Sequence, residues 1–387
     1  MANVLHRDTR ASVHVGLNLI FLVPGETGGM ETYARELIPA LRRERPDLRL
    51  TAFINREALE ADEGPWMELA DALQVPVRAR HRLEWVRGEQ QLLPRLAARS
   101  GVDLLHSLGG TGPARGPFAR VVTIHDVIYR TYPETHFGLR SAGMRILVPL
   151  AARRSRRVIA PSESTKADLV RLLRVPVERI DVVPLGVDAG STPPADVGDV
   201  RLRYGLGDAR IVLTASAKRP HKNLGRLLKA WALLPADRRP LLVIPGYPTP
   251  YESELRNLAD SLGVSSATRF LGWIPREDLE ALYRLAECFV FPSLYEGLGL
   301  PVLEAMARGV PVACSGRAAL GEVTGDAARL FDPESPRAIA DGVDEVLSNS
   351  ALAGHLRDAG REQARRFTWT AAARGTLRAY DRASGAE

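Results

Sequence analysis

The sequence predicts an α/β protein with two domains, each built on a parallel sheet that helices cover on both faces. Its 387 residues exceed what a single hydrophobic core usually holds. Short apolar runs alternate along the chain with longer segments of helical pattern, as they do in parallel sheets. Residues 186–199 are rich in Gly, Pro and Asp and lack periodicity, so we interpret them as the linker between the domains.

The apolar runs predict six strands in each half of the chain. The predicted strands of the first half are 13–23, 48–54, 104–107, 120–124, 157–160 and 180–183. Those of the second half are 211–215, 241–245, 268–270, 288–291, 311–313 and 329–331. In doubly wound sheets ligands bind beyond the carboxyl ends of the strands. Two such sheets that face each other would therefore enclose a central cleft.

The composition is that of a globular protein without a disulfide framework. Hydrophobic residues make up 45% and charged residues 25% of the chain, which are ordinary values. The two cysteines, Cys288 and Cys314, do not have the spacing of metal ligands either. A reducing cytoplasm fits this cysteine usage.

The N-terminal segment has some features of a signal peptide. Arg7 and Arg10 precede the apolar run 13–23, but His14 and Asn18 interrupt that run and no small-residue cleavage site follows. No stretch reaches the roughly 20 apolar residues of a membrane span. We therefore expect a cytoplasmic protein that is neither secreted nor integral to a membrane.

The chain is basic, with a net charge of +6 and a pI near 9.5. Four arginines follow the apolar segment 146–152, namely Arg153, Arg154, Arg156 and Arg157. Such a cluster could dock peripherally on the anionic inner face of a membrane and bring a lipid-linked acceptor to the protein. A solvated helix end explains it equally well. Nucleic acid is disfavoured as a partner, because no zinc spacing, aromatic stacking motif or helix-turn-helix accompanies the charge.

The most informative segment is 291–314, FPSLYEGLGLPVLEAMARGVPVAC. Gly297 and Gly299 allow a ligand to approach the backbone closely, and Pro301 suits the first position of a helix. The start of that helix would receive a phosphate. Glu296 precedes this anion site and Glu304 lies one turn inside the helix. Both carboxylates would accept hydrogen bonds from hydroxyls that flank the phosphate, and a sugar nucleotide has hydroxyls on both sides of its diphosphate.

Residues 296–312 resemble the two-glutamate motif of the retaining GT-B glycosyltransferases grouped as family 4, close to E-G-x-G-L-P-x-L-E-A-M-A-x-G-x-P-V. The resemblance implies two Rossmann-like domains facing a central cleft: an acceptor domain at 1–189, a donor domain at 190–369, and a C-terminal helix at 370–387 that returns to the first domain. It also implies that Glu296 binds donor-sugar hydroxyls and Glu304 the ribose. The donor loop between them comprises Gly297, Leu298, Gly299 and Leu300.

A second donor signal is the loop and helix start at 215–231, ASAKRPHKNLGRLLKAW. Lys222, followed by Asn223 at a plausible helix start, would place an ammonium on the diphosphate, with Arg219 or Lys218 beside it. This segment resembles the family's P-x-K-N-L element. Many family members carry an arginine shortly before this lysine, at a position that aligns with Ser216 or Ala217, and this chain departs from the family there.

On the acceptor side, His125 and Asp126 end the predicted strand in VVTIHDVIYRTYPE (121–134). The family places a histidine after this strand, close to the sugar and the reaction centre; an imidazole paired with Asp126 is the structural alternative. His106 is more simply explained as a structural histidine. Gly28 and Gly29 match the family's first glycine loop, whose backbone approaches phosphate and acceptor, although glycine pairs are also common in turns.

Two further loops resemble family elements. LGWIP (271–275) occupies the position of the nucleobase loop, where backbone groups of Trp273 and Ile274 would meet the base. APSESTKADL (160–169) resembles a first-domain loop that would place Ser162 near the cleft. Ser164 or Thr165 as a helix cap is an equally good interpretation of that segment.

The resemblance implies a metal-independent transfer of a hexose from a nucleotide-diphosphate sugar, GDP-mannose first and UDP-hexoses next, to a glycan, lipid-linked or small-molecule acceptor. We expect His125, Glu296 and Lys222 to be catalytic, with front-face substitution giving retention. No DxD-type motif sits at a strand end, and no cofactor is expected besides the donor. The alternatives are a non-hydrolysing UDP-sugar epimerase of the same architecture and a non-catalytic nucleotide-sugar binding protein.

Overall fold

The computed structural model describes residues 13–133, 139–188, 190 and 192–385, which form two parallel sheets. The strands of the first sheet are β1 (His14–Asn18), β2 (Arg49–Ile54), β3 (Asp71–Gln74), β4 (Leu104–Ser107), β5 (Ala119–Thr123), β6 (Arg157–Ala160) and β7 (Ile180–Val182). Those of the second sheet are β8 (Ile211–Leu213), β9 (Leu241–Ile244), β10 (Thr268–Phe270), β11 (Ala286–Phe291), β12 (Val312–Ser315) and β13 (Arg329–Phe331).

Helices connect the strands and cover both faces of each sheet. In the first domain they are α1 (Gly29–Glu44), α2 (Arg56–Ala61), α3 (Pro65–Glu68), α4 (Arg82–Arg87), α5 (Leu93–Arg99), α6 (Ile128–Thr131), α7 (Leu139–Arg154) and α8 (Glu163–Leu173). A π-helical segment, Gly88–Leu92, joins α4 to α5. The remaining helices are α9 (Val197–Arg203), α10 (Leu224–Leu233), α11 (Tyr251–Ser261), α12 (Arg276–Leu285), α13 (Leu300–Ala307), α14 (Ala319–Thr324), α15 (Pro336–Ser348), α16 (Ser350–Ala364) and α17 (Trp369–Ser384).

Both sheets are doubly wound, which confirms the predicted fold class. The first sheet has the order β3-β2-β1-β4-β5-β6-β7 and the second the order β10-β9-β8-β11-β12-β13. In each sheet the order reverses beside the first strand, between β1 and β4 and between β8 and β11. A crevice opens at the carboxyl ends of the strands at such a point. The two crevices face each other across the interdomain cleft.

All twelve predicted strands are present, and the sequence missed only β3 among the strands that the structure describes. β3 is an edge strand whose residues are mostly exposed, so it carries no apolar run to reveal it. The first predicted strand, 13–23, is shorter than expected. β1 ends at Asn18, and the buried residues Leu19, Ile20 and Leu22 continue the apolar run as a loop.

The chain crosses between the domains at two adjacent places. The backbone N–H of Val187 donates to the carbonyl of Phe367 (3.0 Å), and a Cβ on Gly186 would lie 2.3 Å from the backbone nitrogen of Trp369. Part of the predicted linker 186–199 is helical, because Asp196 caps α9. Residues 189 and 191 of that linker lie outside the described residues.

The helix α17 packs against α1 and the first sheet. Arg45 donates two hydrogen bonds to the carboxylate of Asp381 (3.0 and 2.9 Å), and the buried ring of Tyr380 contacts His106 of β4. None of the helices in the described part of the chain is both long and apolar enough to cross a bilayer. Arg7 and Arg10 lie outside the described residues.

Candidate active site

The donor side of the cleft is built around an ion pair between Lys222 and Glu296. Lys222 ends a single 3₁₀ turn after β8, and its Nζ donates to Oε1 of Glu296 (2.6 Å). Ser293 Oγ donates to the same oxygen (2.5 Å), and the ammonium lies 5.2 Å from the ring centroid of Phe291. The side chains of Lys222 and Glu296 are 16% and 13% exposed, so the pair is largely shielded from water but still accessible. The sequence missed Ser293, three residues before Glu296.

Arg219 supplies a second positive charge, and no residue in the described part of the chain pairs with it. Its side chain is partly buried and makes no hydrogen bond or ion pair to the residues that the structure describes. Burial lowers the pKa of its guanidinium, and the nearby carboxylate of Asp126 opposes that effect. An unpaired, partly desolvated guanidinium is suited to bidentate binding of a phosphate.

Lys218 does not reach this site. Its side chain is fully buried, and its Nζ donates to the carbonyls of Gly246 (2.5 Å) and Leu271. Glu252 lies 3.8 Å away. Burial lowers the pKa of Lys218 to about 8. The ammonium therefore joins the loops after β9 and β10, and in this conformation it offers no hydrogen to a diphosphate.

The glycine turn before α13 touches both domains. A Cβ on Gly297 would lie 1.8 Å from the carbonyl oxygen of His125. The carbonyl of Gly297 accepts hydrogen bonds from Ser162 Oγ (2.6 Å) and Thr165 Oγ1 (3.1 Å). Only glycine allows this approach between the two walls of the cleft.

The start of α13 follows this turn directly. Gly299 has a positive φ of 95°, and Leu300 is the first helical residue. The sequence suggested that Pro301 is the first helical residue. In the structure it is the second. Leu298 is buried, so this segment presents its backbone rather than that side chain. Pro301 has no N–H, and the N–H of Val302 donates to the carbonyl of Gly299 (2.9 Å). Among the described residues, Leu300 therefore carries the free N–H of the helix start.

Glu304 lies one turn into α13 and is held by Tyr283. The hydroxyl of Tyr283 donates to Oε2 of Glu304 (3.2 Å). Burial raises the pKa of Glu304, and the positive charge of Arg308 opposes the rise. The Nε of Arg308 donates to Glu280 (2.6 Å), which leaves the second oxygen of Glu304 available to a ligand.

On the first-domain wall, His125 is a neutral imidazole in a fixed orientation. Its Nε2 lies 2.9 Å from the carbonyl oxygen of Leu108, and the ring makes an edge contact with Tyr33 at 4.9 Å between centroids. A carbonyl oxygen only accepts hydrogen bonds, so Nε2 carries the proton and Nδ1 is left as an acceptor. Burial lowers the pKa of His125 to about 4, so the ring stays uncharged at neutral pH.

Asp126 lies next to His125 and faces the charged groups of the other domain. Its Oδ1 accepts the backbone N–H of Ile128 (3.0 Å). Burial raises its pKa, as does the charge of Glu296, whereas Lys222 and Arg219 lower it. The charges of Glu296, Lys222 and Arg219 thus act on Asp126 across the cleft.

His106 occupies a structural position, as the sequence suggested. It is fully buried, with Nε2 2.8 Å from Thr123 Oγ1 and Nδ1 2.8 Å from the hydroxyl of Tyr380. Burial lowers its pKa to about 3. The ring therefore ties α17 to β4 and β5 beneath the site.

Ser162 is both a helix cap and an interdomain contact. Its Oγ accepts the backbone N–H of Thr165 (3.0 Å), so Ser162, not Ser164 or Thr165, is the N-cap of α8. Glu322 of the second domain accepts the backbone N–H groups of Glu163 (2.9 Å) and Ser164 (3.0 Å).

A further hydroxyl joins the domains near α8. Tyr295 directly precedes Glu296 in the sequence. Its hydroxyl donates to Asp168 of α8 (2.7 Å). The sequence indicated neither Glu322 nor Tyr295, because partners more than a hundred residues apart leave no local pattern.

The predicted nucleobase loop carries an exposed aromatic ring. Trp273 is 64% exposed and stacks on Tyr247 with 4.6 Å between centroids, while Ile274 is buried. The hydroxyl of Tyr247 donates to the carbonyl of Gly25 in the first domain. This contact brings the loop that precedes α1 towards the donor domain.

The first glycine loop is open. Gly28 has a positive φ of 63° and Gly29 begins α1. A Cβ on either residue would meet no atom within 4 Å. A ligand therefore has room to approach this helix start.

The basic cluster lies away from the cleft. Arg156 directly precedes β6 and Arg157 is its first residue, so both lie at the amino end of that strand, whereas the cleft is at the carboxyl ends of the strands. Arg157 is paired with Asp181, through Nε at 2.8 Å and Nη2 at 2.7 Å, and Arg156 donates to the carbonyl of Ala383. Arg153 and Arg154 are exposed at the end of α7. Within the described ranges, no three His, Cys, Asp or Glu side chains come together as a metal site would require.

The fold and this site define a GT-B glycosyltransferase, an enzyme of the hexosyltransferase class. The family model of the group 1 glycosyl transferases matches residues 203–365, and that of glycosyltransferase family 4 matches residues 27–190. The chain is 33% identical over 264 residues to the O-antigen chain mannosyltransferase B of Escherichia coli, covering 67% of this chain and 69% of that protein. The chain belongs to the group 1, or family 4, glycosyltransferases.

Solved structures share the fold. Sucrose-phosphate synthase from Thermosynechococcus elongatus superimposes with a TM-score of 0.79 at 22% identity, covering 97% of this chain and 100% of that one. The HepE protein of Anabaena, solved in complex with UDP and glucose, gives a TM-score of 0.74 at 19% identity, covering 95% and 99%. At these identities the likeness concerns the fold alone.

Proposed function

We propose that this enzyme transfers a hexose from a nucleotide-diphosphate sugar to a glycan, lipid-linked or small-molecule acceptor with retention of the anomeric configuration. The observation that carries the proposal is the Lys222–Glu296 pair beside the unpaired Arg219, facing His125 and Asp126 across the cleft. The E. coli relative is named a mannosyltransferase, which supports GDP-mannose as the first donor to test. UDP-hexoses come next, since the HepE structure holds UDP and glucose.

The donor diphosphate would bind where two cations and a helix start converge. Lys222 and Arg219 would contact its oxygens, and the N–H of Leu300 together with the positive end of the α13 dipole would complete the site. Lys222 would then share its three hydrogens between the phosphate and Glu296. Glu296 would accept hydroxyls of the sugar, and the free oxygen of Glu304 would accept those of the ribose.

The transfer would proceed by front-face substitution. The acceptor oxygen bonds to the anomeric carbon as the bond from that carbon to the phosphate oxygen breaks, on the same face of the sugar. The departing phosphate takes the proton of the acceptor hydroxyl, so no protein base is needed. Lys222, Arg219 and the α13 start stabilise the charge that develops on the phosphate, and for that reason we propose metal independence.

His125 would orient a hydroxyl rather than move a proton. Its Nδ1 is an acceptor, and its pKa near 4 keeps the ring neutral at pH 7. A neutral imidazole at this position would not repel the positive charge that develops on the sugar ring. Asp126 would add a negative charge beside that ring.

A cytoplasmic enzyme that contacts the membrane only peripherally is part of the proposal. The basic cluster at residues 153–157 would hold the cleft on the side away from the bilayer, because it lies at the amino ends of the strands. A lipid-linked acceptor would therefore have to reach the cleft past another surface of the first domain.

A ligand panel tests the donor. Thermal shifts are measured with GDP-, UDP-, ADP- and dTDP-sugars and with the free nucleoside diphosphates. A ligand at a hundred times its dissociation constant adds about 2.7 kcal/mol of stability. We expect one nucleotide to stand out, and the absence of any shift across the panel would contradict the proposal.

Product analysis then tests the reaction. The preferred donor is incubated with mono- and oligosaccharide acceptors, and the anomeric configuration of the product is read by NMR. Retention supports front-face transfer, and an inverted product would refute it. Turnover of the donor sugar to an epimer without any acceptor would identify an epimerase instead.

A further inference from the structure

A buried polar cluster lies at the carboxyl ends of β1 and β4, behind the first-domain wall. It consists of Asn18, Glu89, Gln90, Ser107 and Thr111, which we call the Glu89 cluster. All are buried except Gln90, which is partly exposed. Glu89 belongs to the π-helical segment between α4 and α5. Single π turns are rare and frequent at functional sites.

Three hydrogen-bond donors converge on the carboxyl group of Glu89. Oε1 accepts from Thr111 Oγ1 (2.8 Å) and Asn18 Nδ2 (3.3 Å), and Oε2 accepts from Gln90 Nε2 (3.2 Å). Burial raises the pKa of Glu89 to about 7, and these three donors oppose the rise. Glu89 is thus a buried acid, and its three hydrogen-bond donors stabilise the ionised form.

The orientation of both amides is set by the backbone. Asn18 Oδ1 accepts the N–H of Ile20 (3.3 Å), which turns its Nδ2 towards Glu89. Gln90 Oε1 accepts the N–H of Ala114 (3.1 Å), and its Nε2 donates to the carbonyl of Gly112 (3.0 Å). Neither amide can be reversed without losing a backbone hydrogen bond. Because Asn18 and Gln90 both present N–H groups to residue 89, the side chain there must accept hydrogen bonds at both of its oxygens, as a carboxylate does.

The same contacts fix the loop at 108–114, which runs from β4 to the cleft. Thr111, Gly112 and Ala114 of this loop are all bonded to Glu89 or Gln90. A Cβ on Gly112 would lie 2.5 Å from Ser107 Oγ, so the loop packs tightly on the cluster. The first residue of this loop is Leu108, whose carbonyl accepts the Nε2 hydrogen of His125.

We propose that Glu89 is a positioning residue, which acts through Thr111 and the loop 108–114 to hold the Leu108 carbonyl against His125. Glu89 itself does not touch the cleft. It keeps the proton of His125 on Nε2, and thereby keeps Nδ1 free as a hydrogen-bond acceptor. The effect on turnover rests on the function proposed above, whereas the effect on the state of His125 does not.

NMR of the histidine side chains tests the geometry without any substrate. The ring nitrogens of His125 are assigned with the variant His125→Gln, and the tautomer and the exchange of the Nε2 hydrogen are then followed. We expect Glu89→Gln and Thr111→Val to lose the single Nε2–H tautomer and to speed exchange of that hydrogen at least tenfold. Glu89→Gln places an amide hydrogen opposite the Gln90 donor, and Thr111→Val removes a donor at nearly constant volume.

Matched controls separate this role from general destabilisation. Thr111→Ser keeps the hydroxyl and should restore the wild-type spectrum. Glu68→Gln changes an exposed carboxylate of α3 and should alter neither spectrum nor stability. If Glu89→Gln does not fold, the Thr111 pair still decides. Wild-type His125 signals in Thr111→Val would overturn the proposal.

Kinetics give a second readout once a donor and an acceptor are known. We expect Thr111→Val to lower kcat about tenfold, while the dissociation constant of the nucleoside diphosphate, bound by the other domain, stays within twofold. An unchanged kcat alongside altered His125 signals would refute the proposed role of His125 in transfer, but neither the transfer itself nor the positioning by Glu89. Unchanged signals would refute the positioning alone.

Discussion

The two walls of the cleft are built on the same type of sheet but from opposite kinds of side chain. The second-domain wall presents charges that water can reach through the cleft, with Lys222 and Glu296 paired and Arg219 unpaired. The first-domain wall presents a neutral imidazole, His125, held by a carbonyl and backed by buried polar groups. Asp126 is the exception, since burial raises its pKa while it faces the cations opposite.

This difference fits the work that each wall would do. A diphosphate brings charge into the cleft and gathers more as it departs, so its wall needs cations. An acceptor hydroxyl and a sugar ring bring no charge, so their wall needs fixed hydrogen-bond geometry. Buried neutral groups provide that geometry at a lower desolvation cost than ions.

The same contrast recurs within one loop of the second domain. Lys218 and Lys222 are four residues apart, and both were predicted next to the diphosphate. Lys222 lies in the cleft and is paired with the carboxylate of Glu296. Lys218 is buried, and its ammonium donates to backbone carbonyls such as that of Gly246. Position in the motif therefore does not decide a lysine's role, whereas the groups around its ammonium do.

The largest effect is expected from Lys222→Ala. In the proposed mechanism Lys222 neutralises the leaving phosphate, so losing its ammonium should lower the transfer rate by roughly 10²–10³. Lys229→Ala, an exposed lysine of α10, serves as the control and should be neutral. Initial rates with the preferred donor measure both. A strict Mg²⁺ requirement in the wild type would show that the two cations do not suffice for the phosphate.

The two glutamates should differ in what they bind. Glu304→Ala should weaken the free nucleoside diphosphate and the sugar nucleotide alike, by about tenfold to a hundredfold, because charged hydrogen bonds contribute about 1.5–3 kcal/mol. Glu296→Ala should weaken only the sugar nucleotide. Calorimetric titration of both ligands distinguishes the variants, and equal losses for the free nucleotide would rule out the assignment.

The fold was predictable because it depends on local patterns. Buried parallel strands are short apolar runs, and twelve of them were visible in the sequence. β3 was not, because an exposed edge strand has no such run. Asn223 was expected to start a helix, and it does so at α10. Its Nδ2, however, donates to the carbonyls of Pro292 (3.0 Å) and Pro333 (2.7 Å) instead of its oxygen capping the helix.

Candidate site residues could be predicted only where they belong to a short continuous motif. Glu296, Glu304 and Lys222 lie in such motifs. The partners that set their chemistry come from distant segments, such as Tyr283 on Glu304 and the Gly246 carbonyl on Lys218. The Glu89 cluster likewise combines three segments that are distant in sequence, at residues 18, 89–90 and 107–111, so no spacing in the sequence predicts it.

A middle-sized effect is expected from Gly297→Ala, which tests whether the walls must touch. The added methyl would overlap the carbonyl of His125 and force the domains apart at the glycine turn. We expect transfer to fall about tenfold while nucleotide affinity stays nearly unchanged, since in the proposed function the nucleotide binds to the second domain alone. Gly354→Ala in α16, where a Cβ meets no atom within 4 Å, is the matched control. Full activity of Gly297→Ala would show that this contact is dispensable.

The smallest effect at neutral pH is expected on the stability of Lys218→Met, because a gain and a cost oppose each other there. Methionine removes a buried charge but leaves the carbonyls of Gly246 and Leu271 without their donor, at about 1–3 kcal/mol each. The pH dependence is the sharper test. The pKa of Lys218 falls from 10.5 in the unfolded chain to about 8 in the folded protein, because the ammonium is desolvated. Below pH 8 both states hold the proton, so the free energy of unfolding does not change with pH through this group.

Between pH 8 and pH 10.5 the unfolded chain keeps the proton of Lys218 and the folded protein loses it, so rising pH stabilises the wild type. The gain approaches about 3 kcal/mol, since each pKa unit corresponds to about 1.4 kcal/mol. Lys218→Met lacks this group and shares every other titration. The difference in free energy of unfolding between the two proteins, measured by urea titration from pH 7 to pH 10, should therefore move in favour of the wild type only above pH 8. A constant difference would mean that Lys218 carries its charge without penalty, and the contrast with Lys222 would then rest on position alone.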